Sequence, residues 1–242
     1  MKVIAMIPAR YGASRFPGKL LKNLAGKSVI VRTYESAKST NLFDEVYVVT
    51  DSRLIKDEIE QQGGKVVMSL KDHHCGSDRI AEATVNLDAD IVINIQGDEP
   101  FTKTAPLRDL IAAFKDDPDQ QISLASLVHP MSVWEEIKNP NNVKVVMDIN
   151  NFALYFSRSP IPYPRDKNIP VTYYKHIGIY AFRKSALIDF LNMPIQQNEA
   201  VEKLEGIRFL EYGKKIKMVE TPFEVVGIDT PQDLIRANKL WK

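Results

Sequence analysis

The sequence predicts an α/β protein built on a doubly wound, mostly parallel sheet, with an extended β lobe in its second half. Three observations carry this. Val3–Ile7, Val46–Thr50, Lys65–Met68, Ile91–Ile95 and Ile122–Leu127 are short, β-branched apolar runs without alternation, as expected of strands covered on both faces. Between them lie the helix-like stretches Val29–Ser39, Arg53–Gln62, Ser77–Asn86 and Ala105–Phe114, so strand and helix alternate as in βαβ units. From about Val143 the pattern changes to strands at Val143–Asp148, Ala153–Ser157 and Lys175–Phe182, interrupted by the proline-rich Ser159–Pro164, which cannot be helix interior.

A helical segment near Glu199–Tyr212, a strand near Glu224–Ile228 and a closing helix from Pro231 complete the chain. Thr230 followed by Pro231 is a favourable helix start. The 242 residues suffice for one large domain, read here as a single domain over 1–242 with its lobe at about 143–182.

Composition narrows the function. The 32 basic and 31 acidic residues nearly cancel, which gives no reason to expect a nucleic-acid partner. Cys75 is the single cysteine, so no intramolecular disulfide forms and a reducing, cytoplasmic setting is expected. No apolar run approaches the ~20 residues that span a bilayer.

Ligands of doubly wound sheets bind beyond the carboxyl ends of the strands. The loop after the first predicted strand, Pro8–Lys19, carries Arg10, Gly12, Ser14, Arg15, Gly18 and Lys19. Glycines let backbone N–H groups approach an anion, and arginine and lysine offset phosphate charge. A solvated basic loop is the ordinary alternative; position at a strand mouth favours phosphate binding. The segment is not a Walker A loop, because Gly12 and Gly18 are one residue too far apart and Leu20 stands where Ser or Thr would be needed.

Two acidic turns sit where a cation-binding carboxylate is expected. Gln96-Gly97-Asp98-Glu99-Pro100 follows one strand, and Gly227-Ile228-Asp229-Thr230-Pro231 lies far downstream. Together Asp98 and Asp229 can converge on one hard cation. His73-His74-Cys75 is a poor zinc fragment, since neighbouring residues do not converge on one ion and no second pair at ligand spacing follows. Trp134 and Trp241 are read as packing residues.

The ordered set Pro8–Lys19, Thr50-Asp51, Asp72-His73, Gly76–Arg79, Gln96–Pro100, Asn139–Asn141, Ala153–Arg158, His176–Tyr180 and Gly227–Pro231 resembles the 3-deoxy-manno-octulosonate (Kdo) cytidylyltransferases, almost end to end. The resemblance implies a nucleotide-diphospho-sugar transferase-like fold. It also implies a nucleotidyltransferase that joins CMP from CTP to Kdo with Mg²⁺ as cofactor, for the inner core of lipopolysaccharide. It places Pro8, Ala9, Arg10, Ser14, Arg15, Lys19, Ser77 and Arg79 at the nucleotide, with Lys19, Asp98 and Asp229 catalytic and the two aspartates holding the metal. Gln96, His176, Tyr180 and Glu202 would contact the sugar acid, and the extended lobe would form a homodimer. His176 alone, among apolar neighbours, reads as a core histidine; the motif turns it into a sugar contact. Ser77-Asp78 and Gln196-Gln197-Asn198 depart from the family pattern. Gln196–Asn198 borders the implied acceptor pocket, so an amino-substituted Kdo is an alternative acceptor. A sialic-acid cytidylyltransferase shares the phosphate loop and metal logic and is the rival enzyme, and a nucleotide-binding regulator without turnover is the alternative class.

Overall fold

The computed structural model describes residues 1–12, 16–69, 71, 73, 75–223 and 226–241. It comprises two compact units. The first is Met1–Leu107 with Val225–Lys242, and the second is Arg108–Glu224.

In the first unit, β1 (Val3–Ala9) leads through a 3-10 turn at Lys19–Leu21 and the short hairpin β2 (Asn23–Leu24) and β3 (Lys27–Ser28) to α1 (Val29–Ser39). Then come β4 (Glu45–Thr50), α2 (Arg53–Gln61), β5 (Lys65–Met68), α3 (Gly76–Thr84) and β6 (Ile91–Asn94). β1 pairs in parallel with β4 and β6, and β4 with β5. These strands are parallel because each returns through a helix, and both faces are apolar: Ile4, Met6, Val48 and Ile93 are fully buried or nearly so. The division between the units falls inside α4 (Thr104–Lys115).

The second unit holds β7 (Leu124–Met131), α5 (Trp134–Lys138), β8 (Lys144–Met147), β9 (Ala153–Ser157) and β10 (Tyr173–Arg183). After these come α6 (Lys184–Phe190), α7 (Gln197–Glu202), α8 (Glu205–Glu211) and β11 (Ile216–Glu220). Here pairing is mixed. β10 runs antiparallel to β7 and β8, β8 antiparallel to β9, and β11 parallel to β7. The chain closes in the first unit with α9 (Pro231–Leu240), whose Thr230 and Asp233 form a reciprocal capping box.

The predicted α/β class and mostly parallel sheet are borne out. Two elements differ from expectation. The strand predicted near Glu224–Ile228 is not one over the described residues 226–228; the strand that pairs with β7 is β11, eight residues upstream of that segment's end. The helix predicted over Glu199–Tyr212 is two helices, because Lys203 adopts a left-handed conformation (φ 55°) that ends α7. Trp241 packs as expected, against Phe101 and under the Arg32 guanidinium. Trp134 is half exposed and meets Tyr173 edge-on. Among the described residues no helix is long and apolar enough to cross a membrane.

Candidate active site

The carboxyl ends of β1 and β6 open into a cleft of about 290 Å³ in the first unit, lined by Pro8, Ala9 and Arg10 from β1 and the segment after it and by Gln96, Gly97 and Asp98 after β6. Gly18 closes the following loop: its N–H donates to the Tyr11 carbonyl at 3.2 Å and its φ of 66° favours glycine. The next turn buries Leu20, and Lys19 reaches the cleft.

Lys19 is the centre of the site. Its ammonium donates to Asp98 through a very short bond and to Asp229 Oδ1 at 2.9 Å. Burial alone would lower the Lys19 pKa, but the Asp98 and Asp229 carboxylates outweigh it and raise the value. Both aspartates are held by their backbones. The Ile228 N–H donates to the Asp98 carbonyl at 2.9 Å, and Thr33 Oγ1 donates to the Gly97 carbonyl at 2.9 Å. Gly97 has no room for a side chain, since a Cβ there would lie 2.9 Å from the Pro8 carbonyl oxygen. Asp229 is further fixed by its N–H donating to Asp233 in the capping box of α9.

Glu99 follows in the same turn. Its pKa is pushed up to about 8, first by burial and then by the charges of Asp98 and Asp229. Arg79, on α3, is 6% exposed and donates through Nη2 to Asp51 Oδ2 at 2.8 Å. Among the described residues, the buried side-chain polar atoms without a partner are Arg79 Nη1, both amide atoms of Asn94 and Glu99 Oε2. An orphaned buried polar group costs about 1–3 kcal/mol. All four atoms belong to residues of the first unit, and of these residues Arg79 alone lines the cleft; a polar ligand is the economical reason for keeping its Nη1 unpartnered.

Of the sequence-predicted residues, Pro8, Ala9, Arg10, Lys19, Arg79, Gln96, Asp98 and Asp229 all line this cleft. Ser14 and Arg15 lie outside the described residues, as do Asp72 and His74 of the motif loop. Ser77 is fully buried in α3 and is not in the cleft wall; Gly76 and Cys75 are. The sequence reading gave no role to Asp51, the carboxylate that fixes Arg79, nor to His73, whose Nε2 lies 2.8 Å from Glu82 Oε2 and which also lines the cleft.

In the second unit, His176 and Tyr180 lie on β10 with their rings 5.4 Å apart. Burial pushes the His176 pKa down to about 4, so the ring is neutral. Glu202, at the end of α7, accepts from Ser157 Oγ at 2.6 Å and from the Arg158 N–H at 2.9 Å. Lys144 is fully buried beside this cluster, and its ammonium donates to the carbonyls of Asn139, Asn142 and Arg158. Burial lowers its pKa.

Asp98 and Asp229 suit Mg²⁺. They are hard oxygen donors brought to one ammonium, and Mg²⁺ is usually held by one or two carboxylates with water and phosphate completing the shell. A lysine between two carboxylates, one in the turn after β6 and one just before α9, in one cleft with a guanidinium whose Nη1 is unpartnered, is chemistry for holding a polyphosphate, and the class this fold and site define is the nucleotidyltransferases. A family model described as cytidylyltransferase matches residues 4–216. A 3-deoxy-manno-octulosonate cytidylyltransferase of Flavobacterium johnsoniae is 61% identical over 242 residues, covering 100% of this chain and 99% of that protein. One of Christiangramia forsetii is 62% identical over 239 residues, covering 99% and 96%. A solved CMP:2-keto-3-deoxy-manno-octonic acid synthetase complexed with CTP superposes with a TM-score of 0.93 at 39% identity, covering 99% of this chain and 98% of that one. The chain belongs to the 3-deoxy-manno-octulosonate cytidylyltransferase family.

Proposed function

We propose that the chain transfers CMP from CTP to the anomeric hydroxyl of 3-deoxy-D-manno-octulosonate, giving CMP-Kdo and pyrophosphate. The observation that carries this is the Lys19 ammonium held between Asp98 and Asp229. Full-length relatives at 61% and 62% identity, named for this acceptor, support Kdo over an amino-substituted or sialic acid.

The hydroxyl oxygen attacks the α-phosphorus in line. A new P–O bond forms, the bond to the β-phosphate bridging oxygen breaks, pyrophosphate leaves and the hydroxyl proton passes to water. Lys19 and Arg10 offset triphosphate charge, and Arg79 offers its free Nη1 to the nucleotide. Asp98 and Asp229 would hold Mg²⁺, which when bound polarises the α-phosphate and neutralises developing charge. Rate comes from positioning and charge neutralisation rather than covalent chemistry. His176, Tyr180 and Glu202, with Gln96, contact the sugar acid, and the protein works in the cytoplasm as a homodimer built through the 143–182 segment.

The test is pyrophosphate release from CTP and Mg²⁺ with Kdo, run beside 8-amino-Kdo, sialic acid and a sugar-1-phosphate. Release with Kdo, abolished by EDTA, is expected. Release only with another acceptor would overturn the assignment, and CTP binding without release on any acceptor would favour a regulator.

A further inference from the structure

The pairing of β10 with β7 is interrupted at one place. Ile177 stands opposite Leu127 and Tyr180 opposite Ser126, so Gly178 and Ile179 form a bulge. Ser126, fully buried, fills it: its Oγ lies 3.0 Å from the Ile177 carbonyl oxygen, 2.9 Å from the Ile179 carbonyl oxygen and 2.9 Å from His176 Nε2.

A serine hydroxyl has a single proton, and a carbonyl oxygen can only accept. If that proton goes to a carbonyl, Oγ keeps a lone pair for the imidazole, and Nε2 must carry hydrogen; two bonds form. If the proton goes to Nε2, both carbonyls face an oxygen with nothing to offer, and one bond forms. Two bonds outweigh one in a buried site, so the hydroxyl serves a carbonyl and His176 donates from Nε2. Because the ring is neutral, Nδ1 then carries a lone pair. The ring plane is fixed by Phe156, edge-on at 4.8 Å, and by Tyr180.

We propose that Ser126 is a positioning residue that holds His176 as its Nε2–H tautomer, so that Nδ1 accepts a hydrogen bond from a hydroxyl of the sugar acid. This rests on the proposed reading of His176 as a sugar contact. It also makes that reading specific. An acceptor nitrogen takes a hydroxyl hydrogen and repels a carboxylate or carbonyl oxygen, so His176 reads one of the sugar's hydroxyls and the carboxylate is bound by other groups.

The tautomer is read from two-bond ¹H–¹⁵N correlations of the ¹⁵N-labelled protein near neutral pH, with the His176 ring assigned by its loss in His176→Gln. The expected pattern has a pyrrole-like Nε2 and a pyridine-like Nδ1. In Ser126→Ala the pattern should shift toward a tautomer mixture. KM for Kdo should then rise on the order of tenfold while KM for CTP stays within about twofold. A wild-type Nδ1–H tautomer or an imidazolium overturns the proposal, and so does an unchanged spectrum in Ser126→Ala. A changed spectrum with an unmoved Kdo KM removes the sugar contact from His176 and overturns its role in recognition. Absence of transfer to Kdo by the wild type would sink the proposed function instead, and leave the tautomer result standing. Should Ser126→Ala fail to fold, the wild-type spectrum alone decides the tautomer.

Discussion

Replacing Arg208 by leucine should destabilise the second unit severely, and the size of the effect follows from its surroundings. Arg208 and Glu199 are 5% and 8% exposed and share two bonds, Nε to Oε2 at 2.6 Å and Nη2 to Oε1 at 2.7 Å. The guanidinium lies 4.0 Å from the Phe190 ring centroid, and Phe190 stacks on Phe209. Arg208→Leu keeps much of the apolar volume but leaves a carboxylate buried without its cation. Breaking such a pair from one side costs about 3–5 kcal/mol. For a chain of this size each kcal/mol moves Tm by roughly 2–4 °C, so the melting temperature should fall by roughly 6–20 °C. The double variant Glu199→Gln with Arg208→Leu should recover most of the loss, because removing both charges removes the unpaired one. Calorimetry of the wild type, the two single variants and the double variant gives the comparison. A fall below about 2 °C in Arg208→Leu, or a double variant no better than the single, would refute the view that an unpaired buried charge sets the cost. Glu199 and Glu202 share α7, so a Kdo KM that rises with loosening of this pair is the functional counterpart.

Asp98→Asn and Asp229→Asn should each lower kcat by on the order of a hundredfold or more, measured as pyrophosphate release at saturating substrates; near-wild-type turnover in both would remove the metal assignment. Asp51→Ala should lower Tm by several degrees, because it leaves an Arg79 side chain only 7% exposed without its carboxylate. It should also raise KM for CTP several-fold by freeing the Arg79 guanidinium; an unchanged KM would make Asp51 merely a structural partner. The raised Glu99 pKa gives a pH signature. A folded carboxyl with a value near 8, against 4.5 in the unfolded chain, stabilises the fold fully below about pH 4.5, and that contribution is lost as pH rises toward 8. Glu99→Gln should therefore flatten the decline of Tm across this window, and a parallel decline in both proteins would contradict it.

Elements with strong local signals were legible in the sequence. α1 spans the predicted Val29–Ser39 because Ser28 caps it and its apolar residues recur on one face. α9 begins where Thr230-Pro231 implied. β11 escaped because Lys215-Ile216-Lys217-Met218 alternates polar and apolar residues, whereas Val225-Val226 offered a continuous apolar run and drew the strand downstream. The break at Lys203 escaped because no glycine or proline announces it. In the site, the basic loop after β1 and the acidic turns at Gln96–Pro100 and Gly227–Pro231 pointed to Lys19, Asp98 and Asp229. Asp51 with Arg79, and Ser126 with His176, are 28 and 50 positions apart. Each pair is joined only by strand pairing and packing, which no local spacing encodes.

The cation at the heart of the site and one of its two carboxylates are separated by 210 positions of sequence. Synthesis runs from one end at about 5–20 residues per second, so a nascent chain displays Lys19 for roughly 10–40 s before Asp229 exists. Every ribosome-bound intermediate in that interval has Lys19 and lacks the second acid. Polypeptides released early by a premature stop share the deficiency. On the roles proposed for Lys19 and Asp229, assembly of the site thus doubles as a check that α9 has been made, because only a molecule carrying it puts the nucleotide to use.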